Sequence, residues 1–112
     1  MLHEMKLKPA PFASIKSGAK DIEMRLNDEK RQAVKVGDTV RFTNTETGEA
    51  LLCVVLARHE YPTFAGLYAA FDKTRLGYME GETAKPEDMS QYYPEDEIAK
   101  CGVVGLEIQL LQ

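Results

Sequence analysis

The stretch SGAKDIEMR, Ser17–Arg25, carries a turn and four charged residues within nine positions. Directly after the turn, apolar and charged side chains alternate, which is the two-residue period of a strand with one buried face. Gly18 supplies the positive φ with which a preceding helix can end and the chain can reverse. The pattern therefore places Lys20 in a turn, and it places Glu23 and Arg25 on one face of the strand that follows.

A short strand and a short helix are predicted before this stretch, and a β-hairpin after it. The segment HEMKLKP alternates apolar and basic residues, and Pro11 is predicted at the first helical position. The segments TVRFTN and EALLCVVLARHEY flank a turn around Gly48, so we expect them to pair antiparallel. The run Ala50–Leu56 loses its alternation, which predicts a central strand with Leu52 and Val54 largely buried.

The second half of the chain combines short helical segments with one strand. Aromatic and apolar residues recur from position 64 to 71 at the spacing of one buried helix face, with Thr63 as the predicted N-cap. Prolines open two further segments that carry acids in the first turn. The predicted elements are a helix at Phe64–Phe71, a loop at 72–85, short helices opening at Pro86 and Pro94, and a strand at Val103–Leu111.

This order of elements predicts an α+β fold whose sheet curls into a small β-barrel with short helices packed around it. A chain of 112 residues is long enough to bury one core and too short for two comfortable ones. We therefore predict a single domain over residues 1–112.

The composition of the chain indicates the cellular compartment in which we expect the protein. The longest apolar run, Ala50–Ala57, is well below the roughly 18 residues of a membrane span, and the N-terminal segment lacks the layout of a signal peptide. We expect a soluble, cytoplasmic protein that does not contact membranes and is a monomer. Cys53 and Cys101 have no CxxC spacing and no nearby histidine, so we expect reduced thiols, no metal site and no cofactor.

Charge is divided along the chain. The formal net charge of −4 argues against a protein that coats polyanions through bulk electrostatics. Residues 1–41 nevertheless carry nine Lys or Arg against six Asp or Glu, whereas residues 42–112 carry five against twelve. If the basic part forms one surface, it can meet a phosphate-bearing ligand locally. The alternative is that these charges disperse once the chain folds.

Three stretches taken together, SGAKDIEMR, VGDTVRF and GVVGLEI, resemble the activating-signal-cointegrator homology (ASCH) family of the PUA-like superfamily. The similarity extends to YPTF and MSQYYPEDEIAK, and so runs through nearly the whole chain. The resemblance implies a β-barrel with helices around it and a cleft that contains Lys20, Glu23 and Arg25. It also implies an association with RNA, because proteins of this family are RNA-binding modules or enzymes that act on RNA or nucleosides.

Two enzymatic branches of this family bear on the function. The small acetylcytidine amidohydrolases have a lysine at the position of Lys20 but a threonine at the position of Glu23, so this chain departs from their pattern. Another branch has ribonuclease activity, and its full catalytic set is not matched here.

An ammonium, a carboxylate and a guanidinium in one cleft support two kinds of chemistry. Lys20 and Arg25 can contact phosphate while Glu23 accepts a hydrogen bond from an exocyclic amine or a ribose hydroxyl. Alternatively, Lys20 acts as a general base or nucleophile, and Glu23 positions water or a leaving group. A third interpretation is a surface ion pair on an edge strand, without function.

Two tyrosines and one further arginine complete the candidate ligand contacts. Tyr92 and Tyr93 offer flat faces and hydroxyls that suit a base-binding pocket, but their spacing from Met89 also fits core packing. We expect one of the two in the core and the other at the pocket, and the sequence does not say which. Arg31 is expected on a solvated face, with a secondary role in contacting phosphate.

The residues support three functional hypotheses. The first is a small RNA- or nucleotide-binding domain with a Lys/Glu/Arg cleft. The second is a hydrolase on the same scaffold, a modified-nucleoside amidohydrolase or a ribonuclease, with Lys20 and Glu23 as catalytic residues. The third is a protein-interaction module that meets a partner through its acidic C-terminal half, which an exposed apolar patch remote from Lys20 would indicate. The ligand contacts of the first hypothesis are Lys20, Glu23, Arg25, Arg31, Tyr92 and Tyr93.

Overall fold

A computed structural model describes residues 1–111, and the turn and cap residues set the bounds of its elements. Gly18, at a φ of 87°, ends the first helix and donates its N–H to the carbonyl of Ile15. The hydroxyl of Thr63 caps a later helix by accepting the N–H of Gly66. The elements are β1 (Leu2–Leu7), α1 (Pro9–Ser17), β2 (Ile22–Leu26), α2 (Glu29–Gln32), β3 (Thr39–Asn44), β4 (Ala50–Tyr61), α3 (Phe64–Ala70), a 3₁₀ helix (Pro86–Gln91), α4 (Glu95–Cys101) and β5 (Val103–Leu110).

The five strands form one sheet in the order β1-β3-β4-β5-β2. β1 pairs with β3 in parallel, and the other three pairs are antiparallel. The pairing of β4 with β5 shifts register between Val55 and Ala57, and such a bulge bends a strand and increases its twist. The sheet curls into a half-barrel with short helices around it, which confirms the predicted α+β fold.

The two edge strands of the curled sheet are joined by a side chain. Arg25 of β2 donates from Nη2 to the carbonyl oxygen of Lys6 in β1, at 3.0 Å. This bond satisfies a backbone acceptor that an edge strand would otherwise present to solvent. We call the line where β1 and β2 approach each other the seam.

The core consists of two clusters of buried residues. The first lies against α1 and includes Phe12, Ile15 and Phe42. The second lies under α3 and includes Ile22 and Leu67. Together they fix α1 and α3 on the sheet, and thereby the walls of the space between them.

The prediction for β4 was correct in position and wrong in its buried face. β4 is the central strand, with β3 and β5 on either side. Its fully buried residues are Leu51, Cys53 and Val55, whereas Leu52 and Val54 are only half-buried. Burial therefore alternates along the strand, as it does when only one face of a sheet is covered. The outer face carries apolar residues, but the rest of the fold covers it only partly.

The loop at 72–85 is irregular, as predicted, and it is anchored to the start of β2. The carbonyl oxygen of Arg75 accepts the N–H groups of Asp21 and Ile22, at 3.1 and 3.0 Å. The guanidinium of Arg75 binds the carboxylate of Asp21, with Nε at 2.9 Å from Oδ1. These contacts hold the loop beside the residues that the sequence marked as a site. Within residues 1–111, no helix has the length and apolar character needed to cross a membrane.

Candidate functional site

A cleft of about 810 Å³ lies between α1, β2, the loop at 72–85 and the 3₁₀ helix. This volume is within the range of small-molecule sites in proteins, roughly 300–1,000 Å³. The aromatic lining consists of Tyr68, Tyr78, Tyr92 and Tyr93. The charged lining consists of the cations Lys6, Lys8, Lys20 and Arg25 and the anions Glu23, Glu82 and Asp88.

Three of the predicted site residues form one buried ion-pair cluster. Lys20 Nζ lies 3.1 Å from Glu23 Oε1, and Arg25 Nε donates to Glu23 Oε2 at 2.7 Å. Lys20 is 8% exposed and Glu23 is 3% exposed, so the interpretation as a surface ion pair is wrong. We call Lys20, Glu23 and Arg25 the charged cluster.

The charged cluster holds Glu23 as an ionised carboxylate. Burial alone would raise the pKa of Glu23, but the charges of Lys20 and Arg25 and their hydrogen bonds outweigh it, so the pKa lies below its ordinary value. Burial would lower the pKa of Arg25, and the charge of Glu23 reverses that effect and raises it. The cleft therefore contains an ionised carboxylate that lies between the side chains of Lys20 and Arg25.

Lys20 is positioned by its backbone and by the loop that covers it. Its N–H donates to the carbonyl of Ser14 at 3.0 Å, which holds the turn against α1. Gly77 packs on the side-chain stem, because a Cβ at Gly77 would lie 3.0 Å from Cδ of Lys20. Gly77 also has a φ of 107°, a conformation that other residues rarely adopt. Both features require glycine where the loop crosses the lysine.

Tyr93 and Tyr92 take the two roles that the sequence left unassigned. Tyr93 stacks on Phe64 of the core, with ring centroids 6.0 Å apart and planes 19° from parallel, and presents its remaining surface to the cleft. Tyr92 is 51% exposed, and Lys8 Nζ lies 5.6 Å from its ring centroid. Tyr93 is therefore the core residue of the pair, and Tyr92 is the open wall of the cleft.

Arg31 lies outside the cleft. Its Nη1 donates to Asp28 Oδ2 at 2.9 Å, and its side chain lines a second pocket of about 370 Å³ that also includes Lys30. Arg25 and Lys6 line both pockets. The structure thus brings together five of the six predicted ligand contacts and leaves Arg31 in an adjoining pocket.

The hydroxyl chain of Tyr68, Tyr78 and Asp88 was not predicted. The two tyrosine hydroxyls lie 2.8 Å apart, and the Tyr78 hydroxyl donates to Asp88 Oδ2 at 2.7 Å. Burial, with the neighbouring Tyr68 and Asp88, raises the pKa of Tyr78, so its hydroxyl stays a hydrogen-bond donor. Tyr78 stands in the loop at 72–85, where no periodic pattern marked it in the sequence.

Lys6 and Lys8 were also missed as site residues, although the alternation of the first strand placed both on its outer face. With them, six of the nine cations of residues 1–41 line the cleft or the adjoining pocket. The basic part of the chain therefore gathers in the fold and does not disperse. No group of three or more His, Cys, Asp or Glu side chains within residues 1–111 is arranged to hold a metal ion.

Comparison with known proteins agrees with this architecture. The ASCH domain model matches residues 5–112. The crystal structure of hypothetical protein PH0355 is similar with a TM-score of 0.84 and 31% identity, over 99% of this chain and 100% of that chain. The solution NMR structure of PF0455 from Pyrococcus furiosus has a TM-score of 0.76 and 32% identity, over 100% and 99% of the two chains.

A more distant structure shares the fold. The crystal structure of ASCH from Zymomonas mobilis has a TM-score of 0.69 and 13% identity, over 96% of this chain and 66% of that chain. At that identity the likeness bears on the fold alone. No curated protein matches the chain significantly.

Proposed function

Because the chain belongs to the ASCH domain family, we propose that it binds RNA or a nucleotide, with a base and its ribose in the cleft beside the charged cluster. The observation that carries this proposal is the buried, ionised carboxylate of Glu23 at the base of an aromatic cleft. A buried charge is costly unless it is paired and hydrogen-bonded, and such groups are concentrated at functional sites.

The charged cluster keeps hydrogen-bonding capacity for a ligand. Each carboxylate oxygen has two lone pairs, and Lys20 and Arg25 each approach one oxygen of Glu23. The remaining lone pairs can accept an exocyclic amine or a ribose hydroxyl. Lys20 has three N–H groups, and its ion pair with Glu23 engages only one oxygen, so a donor remains for a base carbonyl or a phosphate. Donor and acceptor thus stand side by side, as the polar edge of a base requires.

The aromatic wall supplies the apolar part of the binding energy. Tyr92 is 51% exposed, so part of its ring is available to a base, and stacking of a base on an aromatic side chain contributes about 1–3 kcal/mol. Lys8, above the Tyr92 ring, adds a positive charge at the mouth of the cleft where a phosphate would emerge. The geometry therefore combines stacking, hydrogen bonding and charge within one cleft.

Binding accounts for the electrostatics of Glu23 better than acid–base catalysis does. A general acid or base works best when its pKa lies near the working pH, whereas the pKa of Glu23 is held below its ordinary value. Glu23 is therefore a strong acceptor and a poor proton donor at neutral pH. Hydrolysis with Lys20 as nucleophile is the competing hypothesis, and the same experiment tests it.

The test is to incubate the protein with the four ribonucleosides, modified nucleosides and short RNAs, and to detect bound and converted species by mass spectrometry. We expect a ligand that binds without conversion. Lys20→Ala should weaken its binding by about 1–3 kcal/mol, because a charge-assisted hydrogen bond is removed. Lys20→Arg, which keeps the charge, should retain most affinity, and the exposed Lys35→Ala is the matched control outside the cleft.

Two results would count against the proposal. If Lys20→Ala and Glu23→Gln both bind as the wild-type protein does, the charged cluster has no part in recognition. If a substrate is converted, and conversion stops in Lys20→Arg while binding persists, the protein is an enzyme that uses Lys20 as base or nucleophile. Thermal unfolding of each variant establishes that the weaker binding does not come from unfolding.

A further inference from the structure

The second pocket, of about 370 Å³, lies along the seam between β1 and β2, next to α2. Four of its lining side chains are cations, Lys6, Arg25, Lys30 and Arg31. It shares Lys6 and Arg25 with the cleft, so the two pockets are neighbours across these side chains. We call it the seam pocket.

The positive charge of the seam pocket is only partly neutralised. Arg31 is paired with Asp28 at 2.9 Å, and Glu4, the acid of the pocket, is paired with Arg41 at 2.6 Å. The ion pairs formed among residues 1–111 include no carboxylate partner for Lys6 or Lys30. Two cations of the pocket are therefore available to an external anion, and a cleft lined by one sign of charge concentrates counter-ions.

Arg31 contributes an unmet hydrogen-bond donor. Its Nε is buried and has no hydrogen-bond partner, which singles it out among the buried side-chain nitrogen and oxygen atoms of the described residues. Buried polar groups in folded proteins nearly always have a partner, and a bound water or ion is one way in which such a donor is satisfied. A guanidinium presents its donors as a planar fork that matches phosphate oxygens.

We propose that the seam pocket binds a backbone phosphate of a nucleic-acid strand whose neighbouring nucleotide occupies the cleft. This inference rests on the proposed function of the cleft and extends it. Lys6 in β1 lines both pockets, and Lys8, the residue before α1, lies with Nζ 5.6 Å from the Tyr92 ring centroid, so the two lysines mark a track of positive charge from Tyr92 to the seam pocket. The ligand is then an oligonucleotide of at least two nucleotides, and a free nucleoside fills only half of the site.

The experiment compares mononucleosides with the four homotrimeric oligoribonucleotides, by titration at several salt concentrations. The variants are Lys30→Ala, which changes an exposed side chain, and the double variant Lys30→Ala/Arg31→Ala. Lys35→Ala is the matched control, an exposed lysine outside both pockets. A trimer with neutral methylphosphonate linkages tests the phosphate charge directly.

In the wild-type protein we expect the trimers to bind at least tenfold more tightly than the nucleosides, and the neutral trimer to lack that gain. The double variant should bind all four trimers about tenfold more weakly, because the phosphate groups that it no longer binds carry no sequence information. Its slope of log affinity against log salt should fall by about 0.7 for each phosphate that the protein no longer neutralises. Its nucleoside binding should be unchanged.

Three outcomes overturn the inference and leave the cleft proposal standing. In the first, the wild type and the double variant bind the trimers with equal affinity. In the second, the neutral trimer binds as tightly as the charged one. In the third, inorganic phosphate binds the seam pocket as tightly as a trimer does. By contrast, the proposed function itself fails if nucleoside and trimer binding are both insensitive to Lys20→Ala.

Discussion

Replacing Arg25 with methionine should destabilise the fold far more than removal of an ordinary surface ion pair. Arg25 binds Glu23 through Nε at 2.7 Å and the Lys6 carbonyl through Nη2 at 3.0 Å, and its side chain is only 12% exposed. Methionine keeps most of the apolar stem and removes both hydrogen bonds. Glu23 then remains buried with Lys20 as its single cation.

The magnitude comes from the burial of Glu23. Removing one partner of a buried ion pair costs about 3–5 kcal/mol, out of the roughly 5–15 kcal/mol by which a domain is stable. For a chain of this length, each kcal/mol shifts the melting temperature by about 4 °C. We therefore expect Arg25→Met to lower Tm by about 12–20 °C, measured by circular dichroism and checked by urea unfolding.

Arg41→Met is the matched control, because Arg41 also pairs with a glutamate. Its Nη1 lies 2.6 Å from Glu4 Oε2, but the two side chains are 42% and 59% exposed. Solvent screens such a pair, so its removal should cost about 0–1 kcal/mol and at most about 4 °C of Tm. If the two variants are destabilised equally, burial of the charged cluster is not what makes Arg25 important.

The pH dependence supplies a second check with a definite sign. The pKa of Glu23 in the folded protein lies below its ordinary value of 4.5, so its stabilising contribution is present above pH 4.5 and is lost as the pH falls through the folded pKa. In Arg25→Met one cation is missing, so the buried carboxyl takes up its proton at a higher pH than in the wild type. The difference in Tm between the two proteins should therefore shrink as the pH falls through 4.5 toward the folded pKa of Glu23 in the wild type. A difference that stays constant would refute the buried charge as its cause.

Two further substitution pairs test the walls of the cleft. In Gly77→Ala, the new Cβ lies 3.0 Å from the stem of Lys20 and the backbone keeps a positive φ. This substitution should therefore lower the free energy of unfolding by more than the roughly 1–2 kcal/mol of backbone strain expected for Gly48→Ala. It should also weaken ligand binding. Equal decreases in Tm with unchanged binding would contradict the packing of Gly77 on Lys20. Tyr93→Ala should lower stability by about 1–3 kcal/mol because it removes a stacked core ring, whereas Tyr92→Ala should leave Tm unchanged and weaken base binding by about 1–3 kcal/mol. A Tyr92→Ala variant whose Tm falls as far as that of Tyr93→Ala would reverse these assignments.

The elements that local chemistry specifies were predictable from the sequence. Gly18 ends α1 and Thr63 caps α3, because a positive φ and a side-chain acceptor are demands that a few neighbouring residues set. The buried face of β4 was not predictable in the same way. Leu52 and Val55 are both apolar, and only the covering of one face by the rest of the fold separates them.

In the candidate site, too, local features were predictable from the sequence and long-range arrangements were not. The two-residue period placed Glu23 and Arg25 on one face of β2, which the hydrogen bond between them agrees with. Burial of Lys20 depends on the loop at 72–85, which is more than fifty residues away and carries no periodic pattern. The seam pocket depends on the approach of β1 and β2, a long-range arrangement that no short stretch of sequence encodes.

The position of Arg25 explains why stability and binding meet in this cluster. A curled sheet that does not close leaves edge carbonyls without partners, and Arg25 supplies a donor to the one at Lys6. That bond and the bond to Glu23 hold the guanidinium still, so a ligand meets it as a fixed positive charge between the cleft and the seam pocket. Lys6 and Lys30 have no ion-pair partner among residues 1–111. We therefore expect these two side chains to be the ones that adjust to a ligand. Variants of the exposed Lys30 can therefore report on binding alone, whereas variants of Arg25 report on binding only after their change in stability has been measured.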